Sequence, residues 1–250
     1  MIPKIIHYCW FGGNPLPEEA KKCIDSWKKF LPEYEIKEWN ESNFDVESIP
    51  YTKEAYEAKK WAFVSDYVRF WVLYNYGGLY FDTDVEVIKP IDDIISRGNF
   101  MGYECPGEVG AVPQDVAPGL GLGVNPGLGL LKNILEEYEK SHFIIDGVIQ
   151  TKKTVVNYTT DEFNKTGKSK FCDGVDYSCG VYIYYPEYFC PLDHHTGKMT
   201  ITENTRTIHH YTATWKTSSQ KKKTALIRFL GPKLTKILVT VKHLFTNVKN

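Results

Sequence analysis

Cysteine is sparse and carries no pairing pattern: Cys9, Cys23, Cys105, Cys172, Cys179 and Cys190 contain no C-x-x-C spacing. No disulfide framework can be read from such a scatter, and Met1-Ile2-Pro3-Lys4 leads into a strand rather than a signal peptide, so the expectation is reduced thiols and a cytoplasmic protein. No window approaches eighteen uninterrupted apolar residues, which leaves only peripheral contact with a membrane. There is no G-x-x-x-x-G-K-[ST] phosphate loop, so the glycines of residues 119–123 read as close backbone packing or a mobile wall. No internal repeat or low-complexity tract occurs.

Acids are missing from one end of the chain. Glu203 is the last of 31 acidic residues, whereas ten of the 30 Lys and Arg follow it. The first 203 residues therefore hold 20 basic against 31 acidic side chains, a net of −11. An acidic body of this kind is no nucleic-acid binder. Residues 220–250 place Leu226, Leu230, Leu234, Leu238, Val241, Phe245 and Val248 near helical spacing with lysines between, and Gly231-Pro232 divides them into two helices. Such a basic amphipathic tail suits an anionic membrane surface, or packs on the protein itself. The chain divides into a domain over residues 1–218 and a tail over 219–250, and 250 residues suffice to bury one core.

The informative stretch is residues 62–90, AFVSDYVRFWVLYNYGGLYFDTDVEVIKP. Phe63 to Tyr76 is apolar on most sides, as a buried helix requires. Ser65, Asp66 and Arg69 interrupt it on one flank, with Asp66 and Arg69 close enough to pair. That flank is either an intrahelical ion pair or a ligand-facing surface. Gly77-Gly78 ends the helix, because a helix C-terminus favours a left-handed residue. In LYFDTDVEV a period of two sets Tyr80, Asp82, Asp84 and Glu86 on one side, with the two aspartates about 7 Å apart along an extended strand. Paired carboxylates recruit a cation, and a D-x-D spacing suits Mg²⁺ or Mn²⁺ bridging phosphate oxygens. Alternating acids also mark the wet face of an edge strand.

The composite S-D-x-x-R, seven residues, G-G-x-Y-x-D-x-D resembles the nucleotide-sugar site of glycosyltransferase family 32, and is similar to the catalytic domain of clostridial glucosylating toxins. The opening I-P-K-x-I-H followed by W-x-G fits the same family, as does His209-His210 followed by Thr214-Trp215, where the family shows S-W. The resemblance covers roughly residues 2–216. It implies a GT-A fold: α/β, Rossmann-like, with a mixed, mostly parallel sheet and flanking helices. It implies that Ser65, Asp66 and Arg69 hold nucleotide and sugar, that Tyr80 and Trp215 line the donor pocket, and that Trp10 stacks on the base. Asp82 and Asp84 would bind donor and Mn²⁺ or Mg²⁺, with Thr214 and one of the two histidines as further ligands. Neighbouring strand residues face opposite ways, so only one histidine points inward; His210 is preferred and His209 is the alternative.

The same resemblance implies a nucleotide-diphosphate sugar donor, UDP-linked rather than GDP-linked, and transfer with retention to a glycan or lipid-linked glycan in surface polysaccharide assembly. Asp82, Asp84 and Arg69 would carry the catalysis. Two alternatives start from the same residues: a haloacid-dehalogenase-like phosphatase with Asp82 as nucleophile, which lacks a later G-D-x-x-x-D, and a non-catalytic carbohydrate-binding scaffold.

Along the rest of the chain, residues 4–11 read as a buried first strand, 17–30 as an amphipathic helix and 34–39 as a second, parallel strand. His7 reads as a structural mid-strand residue. Residues 91–130 read as loop and short strands, 129–142 as a helix, and the polar section to Lys170 as the acceptor-facing part. The tyrosines of VYIYYP fit an ordinary strand better than sugar stacking.

Overall fold

The computed structural model describes residues 1–105, 112, 114–166, 169–193 and 196–212. Thr214, Trp215 and the tail at 220–250 lie outside the described residues.

In chain order the elements are β1 (Ile5–Cys9), α1 (Glu18–Phe30), β2 (Glu35–Trp39), α2 (Pro50–Glu57), α3 (Trp61–Tyr76), β3 (Gly78–Tyr80), β4 (Val85–Val87), α4 (Asp92–Arg97), β5 (Phe100–Gly102) and β6 (Leu122–Val124). There follow α5 (Gly129–Glu139), β7 (Ile144–Ile145), β8 (Val148–Ile149), α6 (Val155–Thr166), β9 (Lys170–Cys172), β10 (Val175–Ser178), β11 (Val181–Tyr184), α7 (Pro186–Phe189) and β12 (Thr207–His209).

Eight strands form one sheet in the order β2-β1-β3-β6-β5-β11-β10-β9. Its pairings leave six strands running one way, with β6 and β10 reversed. The opening β-α-β unit is parallel as expected, Ile6 opposite Ile36. Alternation along β1 divides the core: Ile6 and Tyr8 join Trp27, Phe81 and Phe189 on one face, and Cys9 joins Val64, Val68 and Tyr138 on the other. The sheet thus lies between α1, α4 and α7 on one side and α2, α3, α5 and α6 on the other.

Helix α1 buries Ala20, Cys23, Ile24 and Trp27, the stripe its spacing predicts. Trp27 is fully buried and its indole N–H donates to the Val85 carbonyl at 2.7 Å, tying α1 to β4. Helix α3 ends where the glycine pair requires: Gly77 has φ 64° and donates its N–H to the Leu73 carbonyl. Gly78 lets β3 close on β1, since a Cβ there would lie 2.6 Å from the Ile5 carbonyl oxygen. His7 bridges the same junction. Its Nδ1 accepts from the Trp39 indole at 3.0 Å and its Nε2 donates to the Gly77 carbonyl at 2.9 Å. Burial lowers its pKa from 6.5 to about 4.

Three expectations are corrected. LYFDTDVEV is not one strand: β3 stops at Tyr80, a turn with Val85 N–H donating to the Asp82 carbonyl follows, and β4 pairs with β12 in a separate two-stranded sheet. Asp-Thr-Asp has turn chemistry, and beyond it Val85 pairs with His209 while its carbonyl accepts from the Trp27 indole. Helix α4 lies inside the stretch read as loop and short strands. Helix α6 was invisible to periodicity because its buried face includes Thr159 and Glu162, the latter accepting from Asn133 and ion-paired with Lys165.

Candidate active site

The C-terminal ends of the parallel strands β1 and β3 open on one edge of the sheet, the edge where α/β folds bind ligands. Asp82 and Asp84 sit in the turn directly beyond β3. Because the chain turns there, one carboxylate oxygen from each and a ring nitrogen of His209 all lie within 4.8 Å of one another. An extended strand would have held the aspartates farther apart.

Asp82 is positioned by α3 and β3. Arg69 Nη1 stands 3.3 Å from its carboxylate, and the Tyr80 hydroxyl donates to it at 3.2 Å. The Arg69 guanidinium lies over the Tyr80 ring, 4.8 Å from its centroid, and its Nη2 donates to Asp66 at 2.8 Å. The expected intrahelical pair is therefore present and extends to the first aspartate of the D-x-D. Arg69 is 4% exposed; burial would lower its pKa, but the surrounding carboxylates hold it charged. Burial pushes the Asp66 carboxyl up, against the pull of Arg69 and of the Val155 N–H at the start of α6.

Asp84 is held from the other side by β12 and the residues after it. His209 Nε2 lies 2.9 Å from one oxygen, while the Thr212 N–H and hydroxyl donate to the other at 2.9 and 3.0 Å. Burial opposes ionisation of Asp84, yet His209 and Thr212 hold its carboxyl well below the usual range. Burial likewise disfavours the His209 cation, and Asp84 outweighs it and raises the pKa. His209 Nδ1 is buried without a hydrogen-bond partner among the described residues.

The preference for His210 is corrected. His210 points to Glu86, 2.9 Å away on β4, and His209 faces the aspartates. In the pairing with β4, Ile208 lies opposite Glu86 and His209 opposite Val85, a register that only the fold fixes. Tyr80, expected to line the donor pocket, is 1% exposed and lies beneath Arg69, so it props the site from inside. The Ser65 hydroxyl is spent on the Trp61 carbonyl at 3.2 Å, and the Ser65 carbonyl accepts from Arg69 Nε. Trp10 stands partly exposed at the end of β1, its indole N–H donating to Asn14 in the following turn at 2.6 Å.

Sequence reasoning missed Thr212 and Trp61, and it read the 119–123 glycines as close packing without naming Asp82 as the partner of Gly119. A Cβ on Gly119 would fall 2.1 Å from Asp82 Oδ2, so glycine lets the 117–120 segment pass the carboxylate in its present direction. A Cβ on Gly12 would meet the Trp61 indole at 2.5 Å, which brings the N-terminus of α3 against the turn beyond β1. Position in G-L-G-L-G and in H-H-x-T hints at Gly119 and Thr212, but neither pattern names a partner.

Two carboxylates and an imidazole in this compass form a hard oxygen and nitrogen donor set that fits Mg²⁺ or Mn²⁺.

Comparison with known proteins agrees with this geometry. Residues 17–101 match the family described as a glycosyltransferase sugar-binding region containing the DXD motif. Inositol phosphoceramide mannosyltransferase 3 of Schizosaccharomyces pombe is 33% identical over 102 residues, covering 38% of this chain and 27% of that protein. Mannosyl phosphorylinositol ceramide synthase SUR1 of Saccharomyces cerevisiae is 28% identical over 114 residues, 42% of this chain and 28% of that protein. The matched stretches thus span under a third of each of these relatives. A glycosyltransferase involved in glycosylation of the major capsid of PBCV-1 shares the fold, with TM-score 0.50 and 13% identity over 90% of this chain and 99% of that one. The architecture is GT-A: a mixed sheet of mostly parallel strands with flanking helices.

Proposed function

We propose, from the match of residues 17–101 to the DXD-containing glycosyltransferase region, that the chain is a metal-dependent enzyme moving one sugar from a nucleotide-diphosphate sugar to an acceptor hydroxyl. The observation that carries this reading is the convergence of Asp82, Asp84 and His209 within 4.8 Å at the sheet edge, braced by buried Arg69.

In this proposal Asp82, Asp84 and His209 hold Mn²⁺ or Mg²⁺. The ion would supply positive charge to the diphosphate as its bond to the anomeric carbon breaks. Arg69 aims Asp82, because a guanidinium fork fixes both partners in direction. Thr212 does the same for Asp84, presenting two donors to one oxygen and leaving the other toward His209. Trp10 offers a flat face for the base; the family resemblance assigns Trp215 to the donor pocket and Thr214 to the metal, both outside the described residues. The family resemblance supports retention, with the leaving phosphate as base and front-face attack.

The acceptor in this reading is a glycan or lipid-linked glycan in surface polysaccharide assembly. The names of the relatives, which act on inositol phosphoceramide, favour a lipid-linked acceptor and add mannose to the donors worth testing. The basic stretch at 220–250 would hold the enzyme peripherally on the anionic inner face of the membrane. Among the described residues no helix is long and apolar enough to cross a membrane.

Thermal stabilisation by UDP and GDP with Mn²⁺, Mg²⁺ or EDTA tests the proposal, since a ligand of the folded state raises Tm. A metal-dependent shift that is lost in Asp84→Ala is the expected result. No shift with any nucleotide would move the reading to the phosphatase or the scaffold.

A further inference from the structure

Away from the acidic group, a cavity of about 240 Å³ opens between α6 and the strands β10 and β11, with Tyr103 just past β5. Its lower wall is apolar: Tyr103 and Phe163 are each 8% exposed and Ile183 2%. Its mouth carries Gln114, Asn164 and Ser169, exposed side chains with no hydrogen-bond partner among the described residues. Among the described residues, none of the nine that line it is charged.

That combination selects a class of ligand. An anion would lose water there without a counter-charge from any described lining residue, which is costly. A purely apolar group would leave the two amides and the hydroxyl unanswered. A sugar ring meets both requirements, since its C–H faces stack on aromatic rings and its hydroxyls both donate to and accept from amides.

Position adds a role. β11 and β10 lie three and four strands from β3, roughly 14 to 19 Å at ordinary strand spacing. One segment links the two places: Val116 N–H donates to the Thr160 hydroxyl in the cavity wall at 2.9 Å, and three residues later the Gly119 carbonyl accepts from Asp82 N–H at 3.3 Å. Helix α6, which supplies Phe163 and Asn164, begins at Val155, whose N–H reaches Asp66 beside Arg69.

We propose that this cavity binds an uncharged sugar ring of the acceptor, removed by at least one ring from the reacting hydroxyl. The inference rests on the transferase reading above and assigns a substrate class to its second half.

Ligand-observed saturation-transfer NMR on the full chain reads the cavity directly. The probes are methyl α-mannopyranoside, methyl α-glucopyranoside and methyl β-galactopyranoside, with mannose 6-phosphate as the charged comparison. At least one neutral glycoside receives saturation, the phosphate several-fold less, and the double variant Gln114→Ala, Asn164→Ala loses most of the signal. Both positions are exposed and unpartnered, so the variant should melt with the parent chain. Silence from all three glycosides, or a signal unchanged in the variant, overturns the proposal. Nucleotide stabilisation with Mn²⁺ on the same samples is read separately and should survive the double substitution. Its absence from the parent chain would overturn the transferase reading and the acceptor role together, while the glycoside signal alone decides whether the cavity takes a sugar.

Discussion

Arg69 stands 3.3 Å from Asp82, joining the middle of a buried helix to the first carboxylate beyond the strand that follows it. The same guanidinium holds Asp66 at 2.8 Å, so one cation serves two acids where water hardly reaches. Such a group is a strut before it is anything else.

Removing that strut leaves charges facing each other without a partner. Arg69→Ala should cost about 3 kcal/mol or more in urea unfolding, the usual penalty for breaking a buried pair from one side. Arg69→Lys should recover part of this, because an ammonium carries charge but lacks the fork that reaches both acids. A loss below about 1 kcal/mol in Arg69→Ala would show that Asp66 and Asp82 do not depend on it.

Gly119→Ala tests the site from a position with no functional group of its own. The new methyl would fall 2.1 Å from Asp82 Oδ2. The Asp82 side chain is 29% exposed and can swing outward, so the fold should survive with Tm nearly unchanged. Metal-dependent nucleotide binding should drop by about tenfold or more, as when a ligand-orienting contact is lost. Unchanged nucleotide binding would mean that Asp82 need not keep its present direction.

The adjacent histidines should behave differently. His209→Gln should weaken metal-dependent nucleotide stabilisation by about tenfold or more in apparent affinity. His210→Gln should leave it within about twofold, since His210 meets Glu86 on a half-exposed surface, away from the aspartates. Equal losses in the two variants would contradict the assignment of His209 to the aspartates.

His7 gives the fold a pH dependence of its own. Its folded pKa is depressed from 6.5 to about 4, so the unfolded chain binds a proton first as the pH falls. Stability contributed by neutral His7 is intact above pH 6.5 and is lost progressively down to about pH 4, by about 3 kcal/mol in all. Urea midpoints between pH 7 and 4 in the parent chain and in His7→Gln measure it. A variant with the same slope as the parent would place the titration elsewhere.

Much of this protein was legible because local chemistry carries its own signal. The apolar run of α3, its glycine stop, the stripe Ala20-Cys23-Ile24-Trp27 and the parallel β1–β2 pair follow from periodicity and from the few conformations open to Gly77 and Gly78. So does the Asp66–Arg69 pair, three residues apart on a helix. Helix α6 escaped because Thr159 and Glu162 hide its buried face from any hydrophobic count.

By itself, the sequence determined which residue types stand near a possible cation and that Arg69 needed carboxylate partners. Tertiary structure alone decided that Asp82 and Asp84 sit in a turn, that His209 rather than His210 completes their group, and that Gly119 passes beneath Asp82. Helix and strand periods act over a few residues, whereas the β4–β12 register and the approach of residue 119 to residue 82 are set by how separate layers pack against one another.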